Sequence, residues 1–135
     1  MKVKCLLPFL LIASFVLSCT SSGKNLERKH KKGMFKITIL YPGGDGKTFD
    51  IDYYAEKHMP MVAGELGEAV KFYEIDRGIS GRAPADETPY MAIGYLYVEK
   101  LAAYQEAFQA KAAKIKSDIP NYTNIQPIVQ ISEVY

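Results

Sequence analysis

The chain has 135 residues, 48% of them hydrophobic, and a formal charge of +2. That length and apolar content support one domain with its own core. Residues 34–135 carry ten basic side chains against fourteen acidic ones, a balance that excludes electrostatic binding of nucleic acid.

The first thirty residues are a different kind of segment. Met1-Lys2-Val3-Lys4 is basic, residues 6–16 form an apolar run too short to span a membrane as a mature helix, and small or polar residues follow. This predicts a secretory signal peptide over residues 1–18. Val16-Leu17-Ser18-Cys19 resembles the bacterial lipobox. The resemblance implies cleavage before Cys19, lipidation of Cys19 and a membrane-anchored protein of the cell envelope, on its periplasmic or outer-membrane face. Cys5 then leaves with the signal peptide and Cys19 is acylated. The mature domain is expected to hold no disulfide, no cysteine metal site and no cysteine nucleophile. Residues 19–33 continue with TSSGKNLERKHKKG, polar and without apolar periodicity, and read as a flexible basic tether.

The folded domain is expected over residues 34–135. Residues 34–41 (MFKITILY) alternate Phe35, Ile37, Ile39 and Tyr41 with Lys36, Thr38 and Leu40, the pattern of a first strand. Residues 42–46 are loop punctuation. Gly46-Lys47-Thr48 invites a phosphate-loop reading, but that motif wants glycine where Tyr41 stands. Residues 48–67 (TFDIDYYAEKHMPMVAGELG) predict a helix with Ile51, Ala55, Val62 and Leu66 on its buried stripe and Asp50 as N-cap. His58 falls within that stripe and Tyr54 flanks it one turn earlier. Pro60 cannot donate to the carbonyl of Glu56, which predicts a kink just after the histidine and space beside it.

Residues 69–79 (AVKFYEIDRGI) read as a second strand and residues 80–89 as a loop. Residues 90–98 (YMAIGYLYV) form a third strand, apolar on both faces. Residues 99–119 predict a second helix with Leu101, Tyr104, Phe108, Ala112, Ile115 and Ile119 on one face, stopped by Pro120. Residues 123–134 read as the last strand, with Pro127 marking an edge or bulge. The order β-α-β-β-α-β, with right-handed crossovers, gives an α+β, ferredoxin-like domain. Its four-stranded antiparallel sheet has two helices on one face. The third strand needs cover on its other face, which predicts a homodimer packed through the open sheet.

Several strings resemble the EthD family of the dimeric α+β barrel superfamily, chiefly Tyr53-Tyr54-x-x-x-His58-x-Pro60 and Asp118-Ile119-Pro120-Asn121-Tyr122-Thr123-Asn124. The segments FDIDYYAEKHMP, EIDRGISG and PYMAIGYLYV add to the likeness, which spans residues 34–135. The resemblance implies a dimeric α+β barrel. It also implies links to oxidative degradation of ether pollutants, under a generic reductase or oxidoreductase label. Related members of the superfamily include cofactor-independent monooxygenases, muconolactone-type isomerases and polyketide cyclases, with a pocket between sheet and helices where His58 would point. An exported lipoprotein without a Gly-rich dinucleotide loop departs from a literal reductase.

The chemistry narrows by residue type. The domain offers one histidine and no cysteine, so no metal site is expected, and no G-x-S-x-G elbow marks a serine hydrolase. No cofactor is expected. What remains is proton transfer on a small apolar or aromatic ligand, with His58 as acid or base and Tyr54 orienting it or holding a substrate oxygen. Asn121, Tyr122 and Asn124 are candidate substrate contacts, although asparagine at a helix exit also serves as a turn residue. Asp76, an acid within an apolar strand, is a further candidate, with a salt bridge to Arg77 or a lysine as its structural alternative. A non-catalytic ligand-binding protein and a purely structural dimer with a filled core are the competing readings.

Overall fold

The computed structural model describes residues 29–135. The expected signal peptide and the lipidation site Cys19 lie outside the described residues. Strand β1 (Phe35–Pro42) leads into a composite helix: α1 (Ile51–Tyr53), a π-turn (Tyr54–His58) and α2 (Met59–Leu66). Strands β2 (Phe72–Arg77) and β3 (Tyr90–Val98), helix α3 (Leu101–Asp118) and strand β4 (Ile128–Glu133) follow. The sheet order is β2-β3-β1-β4 and every pairing is antiparallel, so the domain is α+β and ferredoxin-like.

Strand alternation sorts the sheet into two faces. Ile37 lies opposite Leu96 and Tyr41 opposite Ala92, and these four are buried beneath the helices. Together with Val98, Val62 and Leu66 they form part of the core. Full burial of each large aliphatic chain contributes about 1.5–3 kcal/mol. The opposite, outer face carries Lys36, Thr38, Tyr95 and Tyr97. Residues 29–33 of the expected tether reach this face and its edge. The His30 ring meets Phe72 and Tyr97 edge-on at 5.2 and 4.7 Å. Its Nε2 is 3.1 Å from a Glu74 carboxylate oxygen, while the Gly33 amide donates to the Val134 carbonyl.

Two elements differ from expectation. Strand β4 begins only after Pro127, because a proline cannot donate to the sheet ladder; residues 123–127 instead make a single bridge, Thr123 to Phe49. The first helix carries a π-turn over Tyr54–His58, just ahead of the site where a kink was expected. It widens before Pro60, where the Met59 amide bonds the Tyr54 carbonyl five residues back. Pro60 has no N–H and crowds the carbonyl of Glu56, so the chain takes an extra residue into the preceding turn. That extra residue rotates the buried stripe. Tyr54, His58 and Met59 are buried, whereas Ile51 and Ala55 are only half-buried.

Candidate active site

Asp50 starts the composite helix, its side chain accepting the Tyr53 amide at 3.0 Å. The π-turn then delivers Tyr54 and His58 to the interior. His58 is 4% exposed, and its Nδ1 lies 2.8 Å from Oδ2 of Asp118, the last residue of α3. The other Asp118 oxygen accepts the Tyr53 hydroxyl at 2.9 Å and the Asn121 amide at 2.9 Å. Two segments far apart in sequence therefore meet around one carboxylate.

Electrostatics fixes the protonation states. Burial opposes the ionised Asp118 carboxylate, but hydrogen bonds from His58, Asn121 and Tyr53 outweigh it and hold its pKa below the usual range. Burial lowers the His58 pKa below the ordinary histidine value, and Asp118 opposes that only in part. The neutral imidazole is therefore favoured. The carboxylate assigns its proton to Nδ1, which leaves a lone pair on Nε2. The hydrogen bond of His58 among the described residues runs through Nδ1, and the residue borders a cavity of about 830 Å³. This volume lies within the range of small-molecule sites.

The cavity lies between α2, α3 and the β1–β4 side of the sheet. Its walls are mainly apolar, with Leu96, Met59, Val62, Phe108 and Ile115 among them. Val129 and Ile131 of the edge strand border it and are themselves exposed, so the cavity opens beside β4. Pro60 is exposed and does not border it. The space beside His58 comes from the gap between α3 and the sheet, not from the proline.

The sequence-predicted site residues separate into groups. Tyr54 stacks on the His58 ring with centroids 5.5 Å apart, behind it and off the cavity wall. Its fully buried hydroxyl has no hydrogen-bond partner among the described residues. Tyr122 packs its ring 4.6 Å from His58, and its hydroxyl lies 2.8 Å from that of Tyr41. Asn121 braces Asp118, as above. Asn124 accepts the Thr48 amide at 3.0 Å and donates to the Gly46 carbonyl at 2.9 Å, pinning the loop before α1. Asp76 lies on the outer face of the sheet, away from the cavity, and accepts the Tyr95 hydroxyl at 2.8 Å. Its partner is that tyrosine, not Arg77 or a lysine.

Three residues of the arrangement were absent from the sequence-based candidates: Asp118, Tyr53 and Tyr41. Asp118 opens the helix-exit motif quoted above and Tyr53 adjoins Tyr54, so both stood in the two most distinctive strings. Tyr41, on the cavity wall, carried no signal beyond its place in an alternating strand.

These features define a ferredoxin-like α+β domain in which His58, held by Asp118, stands on the wall of a ligand-sized cavity. The EthD domain family matches residues 44–126, and the chain belongs to that family. The chain is similar to a crystal structure of an EthD-like protein from Ralstonia eutropha JMP134. Identity is 36% over 77% of this chain and 94% of that one, with a TM-score of 0.73. An ethyl tert-butyl ether D (EthD) family protein from Bacillus halodurans C-125 shares the fold, with a TM-score of 0.53. It has 15% identity over 76% of this chain and 99% of its own. No match is found among curated proteins.

Proposed function

We propose that this protein is a small, cofactor-independent enzyme that moves a proton on a small apolar or aromatic substrate, in isomerase, lyase or oxygenase chemistry. The observation that carries this is His58 on the cavity wall, with Nδ1 fixed by Asp118 and Nε2 left to act as the base. Nε2 takes a proton from a substrate C–H or O–H, and the released electron pair moves to a conjugated substrate oxygen. Asp118 stabilises the imidazolium so formed. The imidazolium returns its proton to a different substrate atom in an isomerisation, or to a leaving group in an elimination. An oxygenase would use dioxygen from solution as co-substrate. Such acid–base assistance contributes about 10²–10⁴ in rate. Tyr41 borders the cavity and shares a hydrogen bond with Tyr122 in which either hydroxyl can donate; with Tyr122 as donor, the Tyr41 proton is free for the developing oxyanion.

Screening candidate cyclic and aromatic substrates by mass spectrometry, with His58→Ala alongside, tests the reading. A loss of about 10²-fold or more in turnover is expected. Unchanged turnover removes His58 as the catalyst. The second reading is capture of an apolar ligand without reaction, favoured by the predominance of apolar walls. Ligand retention by His58→Phe, with no product from the wild type, selects it.

Two further parts of the proposal concern assembly and place. A homodimer forms through the outer sheet face, where Leu40, Met91 and Ile93 are half-buried and no helix of the described residues covers them. Ile93→Arg then yields a monomer in sedimentation. A lipid on Cys19 anchors the protein at the cell envelope. Cys19→Ala then abolishes incorporation of labelled palmitate and releases the protein from the membrane fraction.

A further inference from the structure

We infer that the cavity takes a small organic anion: an apolar, ring-bearing body in the interior, with a carboxylate or similar acidic group at the mouth beside Lys116. This rests on the cavity being the ligand site proposed above, and it names the class of molecule that fits there. No aspartate or glutamate borders the cavity, whereas Lys116 does. The other polar side chains at its boundary, His58 apart, are the neutral amides Gln105, Gln109 and Gln126 and the Tyr41 and Tyr104 phenols.

The spacing on α3 explains this distribution. Gln105, Gln109, Ala112 and Lys116 follow one another at steps of four, three and four, so they form one stripe along the helix flank. Beside it runs the apolar stripe of Tyr104, Phe108, Ile115 and Ile119, which also borders the cavity. One helix thus supplies an apolar wall and a polar rim. A molecule seated there meets hydrocarbon along its body and amides and an ammonium group at its exposed end.

Lys116 is also uncommitted. Lys111 and Lys114 both pair with Glu65, Lys111 at 3.2 Å, whereas Lys116 has no carboxylate within salt-bridge distance among the described residues. Asp118, two residues further on, does not border the cavity and already accepts from three side chains. A cation at the lip of a low-dielectric cleft gives the mouth a positive field, because the nearest acid, Asp118, lies behind His58 and off the cavity wall. A ligand carboxylate can settle there while still partly hydrated, which avoids the cost of burying a charge. A cationic ligand finds no counter-charge among the lining residues. Lys116 does stand in the last turn of α3, where a cation offsets the helix dipole. That role alone would leave the cavity indifferent to ligand charge.

Isothermal titration of the full chain with 1-naphthoate and 1-naphthylmethanol distinguishes the two roles, because the probes share a ring system and differ in charge. The wild type is expected to bind the anion about fivefold more tightly at low salt, the scale of a partly exposed ion pair. That advantage should shrink in 0.5 M sodium chloride, on the order expected from screening. Lys116→Met, which keeps the aliphatic stem, should abolish it, and Lys116→Arg should retain it. Equal affinities in the wild type, or an advantage that survives Lys116→Met, overturns the inference and leaves the ligand cavity standing. Binding of neither probe overturns the inference and the ligand-site reading together.

Discussion

Nδ1 of His58 sits 2.8 Å from Oδ2 of Asp118, so the exit of the second helix fixes the imidazole that the first helix carries inward. Asp118 contributes both an acceptor and a charge, and Asp118→Asn removes the charge while keeping nearly the same shape. Burial lowers the His58 pKa and Asp118 is what opposes it. The variant's His58 should therefore titrate at still lower pH, read from its Cε1 proton by NMR. The amide can also donate to Nδ1, which would move the ring proton to Nε2 and block the base. Turnover should fall about tenfold or more. An unmoved His58 titration would mean that the acid does not govern the ring.

The same pair makes stability depend on pH in two windows. For His58 the folded pKa is below the ordinary value near 6.5. As pH drops below about 6.5, the unfolded chain takes up a proton that the folded one resists, and stability falls until the folded-state pKa is passed. Asp118 acts lower down, because its folded pKa is also depressed. Its contribution is complete above about pH 4 and is lost as pH falls through the folded value. Urea midpoints between pH 8 and pH 3 should show both declines. His58→Phe should flatten the upper one. A curve for that variant parallel to wild type above pH 5 would exclude His58 as its source.

The architecture was legible in the sequence because it rests on periodicity. Ile37, Tyr41, Ala92 and Leu96 alternate as a half-buried sheet must, and the six-element order left one ferredoxin-like solution. An inward His58 was legible for the same reason. Its partner was not, since a 60-residue separation gives no periodic signal and Asp118 lies outside any apolar stripe. The π-turn was hidden too. Pro60 announced that the helix would be disturbed but not in what form, and the extra residue upstream turns Met59 inward beside Tyr54 and His58, which already share a face at four-residue spacing. Asp76 misled because a strand places successive residues on opposite faces, and only pairing with β3 shows which face is the outer one.

Tyr54 offers a prediction in stability alone. Its hydroxyl is buried against Gly94 with no hydrogen-bond partner among the described residues, and a methyl group at position 94 would collide with it. An unpaired buried hydroxyl costs about 1–3 kcal/mol, so Tyr54→Phe should leave the fold unchanged or raise its stability by up to about 1 kcal/mol. Gly94→Ala should cost about 1–3 kcal/mol through overpacking. The two should be strongly coupled. In the double variant the phenyl ring ends one oxygen short of the new methyl group, so most of the Gly94→Ala penalty should disappear. Thermal unfolding of the four proteins gives the coupling directly. Simple additivity would show that the hydroxyl is not what occupies the space over Gly94, and that something other than its bulk keeps this strand position free of a side chain.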